Sequence, residues 1–159
     1  MDEILKVKNG FGADDDVSIH SSDMTTGTLT LHLTVCSHHL TAAGTLDEGM
    51  VATLADNYTT YLLIAHSLAL DPAKMPISVS VSLTVQALAP VSPGTVLQIV
   101  CRAGNAELQK PFAEAVFADC SDPSVVYARA SHTKHLKDIM GFEGSRSGRT
   151  AAATVASKL

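Results

Sequence analysis

Apolar residues alternate with polar ones along several stretches of this chain, and the alternation marks its strands. Leu29, Leu31, Leu33 and Val35 alternate with Thr30, His32 and Thr34, which predicts a strand with one buried face. The longest alternation is Ile77, Val79, Val81, Leu83, Val85 and Ala87 against Ser78, Ser80, Ser82, Thr84 and Gln86, a second long strand. Val96 to Ala103, Phe112 to Cys120 and Val125 to Leu136 predict three more, separated by turn signals at Pro93-Gly94, Gly104-Asn105 and Asp122-Pro123. Val17 to His20 predicts a short first strand, followed by a turn over Ser21 to Gly27. Between the early and late strands the pattern changes. Residues 44 to 65 are nearly all apolar and lead into a helix that runs to about Ser67 or Leu70 and stops before Pro72. Either Asp47 caps this helix, or Thr45 does with Glu48 as its reciprocal partner.

Two strands, one long helix and four hairpin-spaced strands call for an α+β fold, an antiparallel sheet packed on a single helix. A dinucleotide-binding βαβ fold would need helical crossovers and a glycine fingerprint, and the sequence has neither. The division expected is an N-terminal extension over 1–16, one domain over 17–140 and a tail over 141–159 rich in Gly, Ser, Arg and Ala. At 159 residues and 46% hydrophobic content the chain is long enough for one substantial core.

Within the helix stands one carboxylate, Asp56, about two turns from the start. Desolvating an ionised carboxylate is costly, so Asp56 either lines a wet cleft, is held by donors, or lies on an exposed helix edge. The first two placements make it the leading candidate for chemistry. Charge excludes other classes: 11 basic against 16 acidic side chains argue against a nucleic-acid-binding surface. No run of about 18 apolar residues is present, so no membrane insertion is expected. Cys36, Cys101 and Cys120 lack paired spacing, which fits a reducing compartment better than a disulfide framework or a cysteine zinc site. Strand cysteines are more often small core residues than nucleophiles, and no nucleophile elbow accompanies these. The adjacent pair His38-His39 has no further ligand at coordinating spacing, so no metal is expected and a solvated loop pair is. Tyr58 and Tyr61 are placed in the core or an interface, with the lining of a ligand channel as the lesser alternative.

Gly44-Thr45-Leu46 before the helix, Ala52-Thr53-Leu54-Ala55-Asp56-Asn57 within it and Ser131-His132-Thr133-Lys134-His135-Leu136 at the end of the last strand together resemble the hotdog-fold acyl-CoA thioesterases. The likeness is to the small eukaryotic subgroup related to phenylacetyl-CoA thioesterases, and it covers about residues 17 to 137. It implies a sheet wrapped around one long central helix, hydrolysis of fatty acyl-CoA to fatty acid and CoA without a cofactor, and sites shared between subunits of a homo-oligomer, usually a dimer of dimers.

Carried over residue by residue, the resemblance implies Asp56 as the carboxylate acting on water, across the cleft from the partner subunit's helix start. The backbone N–H of Glu48 becomes the donor to the carbonyl oxygen, and Ser78 a hydroxyl that orients water. His132 matches the histidine opening the final motif, and Lys134, Lys137, His135 and Arg129 are candidate contacts for CoA phosphates. Two departures stand out. The family's His-Gly-Gly turn is Asp47-Glu48-Gly49 here, and the asparagine of the preceding loop is Thr41. Two added carboxylates beside a site that develops negative charge would oppose the reaction. A non-catalytic acyl-CoA-binding hotdog protein is therefore the alternative function. A hotdog hydratase fits less well, since Tyr61 stands where that family's helix histidine would be. The last residues, Ser157-Lys158-Leu159, match the tripeptide read by the peroxisomal import receptor, so a peroxisomal location is expected, with the cytoplasm as the alternative.

Overall fold

The computed structural model describes residues 16–73, 76–104 and 110–138, with backbone only for Pro76 and residues 136–138. Of the expected N-terminal extension over 1–16 all but Asp16, and the whole expected tail over 141–159 with its closing tripeptide, lie outside the described residues.

The strands are β1 (Val17–Asp23), β2 (Thr28–Thr34), β3 (Pro76–Ala87), β4 (Val96–Gly104), β5 (Phe112–Asp119) and β6 (Val126–Asp138), with one long helix, α1 (Glu48–Leu70), between β2 and β3. They form one six-stranded sheet in the order β1-β2-β4-β5-β6-β3, every neighbouring pair antiparallel. β1 extends three residues past the expected His20. Asp23 then folds its carboxylate back onto the N–H groups of Thr25 and Thr26, so the turn is confined to the residues after it. Gly27 closes that turn at φ +66°, and a Cβ there would come 2.8 Å from the Ala103 side chain.

One face of the sheet wraps α1. Leu29, Leu31 and Leu33 of β2, Leu97 and Ile99 of β4 and Phe117 of β5 are fully buried against Val51, Leu54, Leu62 and Leu63 of the helix. Val51, Leu54 and Leu62, together with the partly buried Tyr58 and Ala65, recur at three- and four-residue spacing, which places them on one face. Each large side chain withdrawn from water in this way contributes about 1.5–3 kcal/mol before chain entropy is charged. Asp47 is the cap, its Oδ1 accepting from Gly49 N at 2.6 Å and Met50 N at 3.3 Å.

β3 departs from the expected single buried face. Its alternation predicts every odd residue on the core side, yet Ile77, Val79 and Val81 are 47%, 63% and 54% exposed. The cause is a register shift between Ser80 and Ser82, which leaves Val81 as an extra residue opposite β6. Because the side-chain period of a strand is two, one inserted residue exchanges the faces. Leu83 and Val85, after the shift, pack on the core, whereas before it Ser80 turns toward the helix and the apolar residues turn away.

Candidate active site

α1 carries Asp56 on the side that faces β3 and β6, where three strand residues converge on it. Ser80 Oγ donates to Asp56 Oδ1 at 3.1 Å, and the same oxygen lies 3.3 Å from His132 Nε2 and 3.9 Å from Lys134 Nζ. The Asp56 side chain is 46% exposed, so the carboxylate meets solvent from one side while held from the other. His132 and Lys134 stand two apart on β6 and so share its helix-facing side. They are 0% and 4% exposed, and residues of these types are buried only when their polar atoms are paired.

The helix supplies that pairing from the turn after Asp56. Thr59 donates its hydroxyl to the Ala55 carbonyl at 2.6 Å and sits 2.7 Å from His132 Nδ1. Thr60 donates to the Asp56 carbonyl at 2.5 Å and accepts from Lys134 Nζ at 2.8 Å, and that ammonium also donates to Ser80 Oγ at 3.1 Å. Burial is the main cause that holds the His132 imidazole below its usual range; the Lys134 charge adds to it and the Asp56 carboxylate opposes it. Burial likewise lowers Lys134, again against the pull of Asp56.

The other half of the expected machinery lies at the helix start. Asp47, Glu48 and Gly49 form the first turn there, with Thr41 in the loop before it. Thr41 N–H donates to Thr45 O at 2.8 Å, and its hydroxyl oxygen accepts from Ala43 N–H at 3.2 Å, so the residue braces the loop. A cavity of about 320 Å³ opens beside this turn, lined by Glu48, Leu46, Val51, Leu88, Val91 and Phe117 among others. Eight residues of helix separate Glu48 from Asp56, about 12 Å along the axis. One carbonyl group cannot touch both within a single chain.

Asp56, His132 and Lys134 therefore come together, and Ser80, Thr59 and Thr60 join them unanticipated. Ser78 is half-buried two residues before Ser80, on the same side of β3, but it is Ser80 that bonds Asp56. The Lys134 ammonium, expected at a CoA phosphate, donates instead to Thr60 and Ser80 in this structure. Arg129 lies on the opposite face of the sheet, where it lines a separate cavity of about 170 Å³ with Glu114 and Ser131. His135 pairs in register with outward-facing Val79 and so faces away from Asp56 as well. The Lys137 side chain is outside the described part. Thr59 and Thr60, three and four residues beyond Asp56, carried a usable signal: that spacing puts polar side chains over the same helix face.

His38 and His39 are not the solvated pair expected. His39 is 1% exposed, and Asp16 Oδ2 lies 3.1 Å from His38 Nε2 and 3.8 Å from His39 Nε2. The group has ligand-type atoms within 4.8 Å of one another. However, His39 Nδ1 accepts the Cys36 N–H at 2.9 Å, which leaves the proton of the neutral ring on Nε2, where a metal would have to bind.

No family model matches this sequence, and no curated protein matches it. Solved structures do. The chain is similar to thioesterase superfamily member 2 from Mus musculus at 25% identity over 84% of this chain and 92% of that one, TM-score 0.71. Its fold is the hotdog fold of the thioesterase superfamily. Among other hotdog structures, the E. coli PaaI protein from the phenylacetic acid degradation operon is 18% identical over 75% and 78% of the two chains, TM-score 0.59. A hypothetical thioesterase protein from Streptococcus pneumoniae, solved with coenzyme A, is 14% identical over 78% and 90%, TM-score 0.65.

Proposed function

We propose that this chain is an acyl-CoA thioesterase that hydrolyses fatty acyl-CoA to fatty acid and CoA. The observation that carries the reading is Asp56, a carboxylate open to solvent on one side and fixed on the other by Ser80, beside the buried imidazole of His132. The coenzyme A bound to the Streptococcus relative supports the substrate class. In this reading Asp56 takes a proton from water as the water oxygen bonds to the thioester carbonyl carbon. The carbonyl oxygen gains charge opposite the Glu48 N–H of a second subunit, and the carbon–sulfur bond then breaks to release the CoA thiolate.

The second subunit is part of the proposal because Asp56 and Glu48 of one chain are too far apart. Among the described residues β3 is the sheet's end strand, paired with β6 alone, and it presents the exposed apolar residues Ile77, Val79 and Val81. An unprotected apolar edge of this kind favours pairing with a copy of itself about a two-fold axis.

One observation favours the binding-only alternative. The Asp47 carboxylate already occupies Gly49 N–H and Met50 N–H, so the helix start faces an incoming oxyanion with a fixed negative charge. Asp47→Asn keeps a good cap and removes that charge. It should raise kcat/KM by roughly two- to fivefold with little change in Tm, as expected for one charge at a helix terminus. Identical kinetics in both proteins would show that this helix start does not serve the carbonyl oxygen. The function is tested with a panel of acyl-CoA thioesters of graded chain length, released thiol being the readout. Tight binding without turnover on every member would establish the binding protein instead.

A further inference from the structure

We propose that Lys134 is a positioning residue, whose buried ammonium directs the Ser80 hydroxyl proton toward the Asp56–His132 pair. Its kinetic consequences rest on the thioesterase reading, but its protonation consequences do not.

The argument is a count of protons. An ammonium only donates, so Thr60 Oγ1 and Ser80 Oγ must both accept from Lys134. Thr60 gives its own proton to the Asp56 carbonyl, and Thr59 gives its proton to the Ala55 carbonyl. Thr59 Oγ1 is then the acceptor for His132 Nδ1–H, which leaves a lone pair on Nε2 of the neutral ring. That lone pair and Asp56 Oδ1 are two acceptors 3.3 Å apart, each 3.1 Å from Ser80 Oγ. A single hydroxyl proton serves both. Lys134, by donating to the Ser80 oxygen, keeps that proton pointed at them.

The cation has a second effect through its charge. Of the elements packed around His132, α1 contributes Asp56 and β6 contributes Lys134; β3 adds only the Ser80 hydroxyl, and β5 has Ala113 opposite in register. Lys134 is thus the one cation facing this ring among the described residues, and it works with burial to keep the ring neutral. A protonated ring would place an N–H against Asp56 Oδ1 and occupy the carboxylate that water needs. Loss of activity on acidification should follow His132, with turnover present above its titration and lost below it.

The test uses Lys134→Met, which keeps the apolar stem, and Lys134→Arg, which keeps the charge, in the full-length protein. Imidazole nitrogen NMR should show His132 of the wild type as the Nδ1–H tautomer, neutral at pH 7. Lys134→Met should raise its titration midpoint by about one unit and Lys134→Arg should not. In kinetics, Lys134→Met should lower kcat on the order of tenfold, move the acid limb upward with the NMR midpoint and leave KM for acyl-CoA within about twofold. A raised, salt-sensitive KM with kcat kept would overturn the proposal in favour of a phosphate contact. A wild-type His132 that is charged at pH 7 or carries its proton on Nε2 would also overturn it, without recourse to any variant. If wild type turns over no thioester while the NMR result holds, the thioesterase reading fails and the positioning role stands.

Discussion

Asp56→Ala should lower kcat by about 10²-fold or more while leaving acyl-CoA binding nearly intact. The substitution removes the carboxylate that meets solvent but none of the apolar surface that buries α1, since Asp56 lies off the helix face carrying Val51, Leu54 and Leu62. It also leaves Ser80, His132 and Lys134 as a cationic hydrogen-bonded group without its anion, so Lys134 loses the Coulombic attraction that opposes its burial. Thermal unfolding measured beside turnover separates the two consequences: a large loss of rate with a small loss of Tm is expected. Equal turnover in the two proteins would remove Asp56 from the chemistry.

The second large effect concerns the end strand. Val79→Lys together with Val81→Lys should convert a self-paired dimer into a monomer near 16.6 kDa by light scattering, with turnover down by more than about tenfold. Two-fold pairing of β3 with its own copy brings each introduced ammonium close to its symmetry mate, where like charges across paired strands repel. Both positions are exposed and outside the core, so the monomer should keep its sheet and helix. Activity should fall because a lone chain holds Asp56 and the Glu48 N–H about 12 Å apart. An active wild-type monomer at micromolar concentration would contradict both the pairing and the shared site.

Much of this was legible in the chain because the buried elements have strict periods. β2 alternates cleanly and is buried where it alternates; α1 stops before Pro72 and begins at one of its two candidate caps. Asp56 was legible for the opposite reason, as a charge that breaks an apolar run. Ser80 was not, because alternation in β3 is equally regular on both sides of Val81 and contains no mark of the extra residue. The role of Lys134 was hidden by its type: lysine at a strand end reads as a solvent or phosphate contact until a buried set of hydroxyl acceptors is seen around it.

The extra residue in β3 also divides that strand by temperature. Its second half is anchored through Leu83 and Val85, whereas Ile77, Val79 and Val81 bury little and the first half is held by the backbone pairing of residues 76–80 with β6. Local opening is drawn from segments with few buried apolar contacts. On warming, the half that bears Ser80 should therefore release first, taking the hydroxyl from Asp56 while the core remains folded. Release of this edge should part the paired copies, so turnover should fade several degrees below the melting of the helix signal in circular dichroism, and the gap should narrow as protein concentration rises.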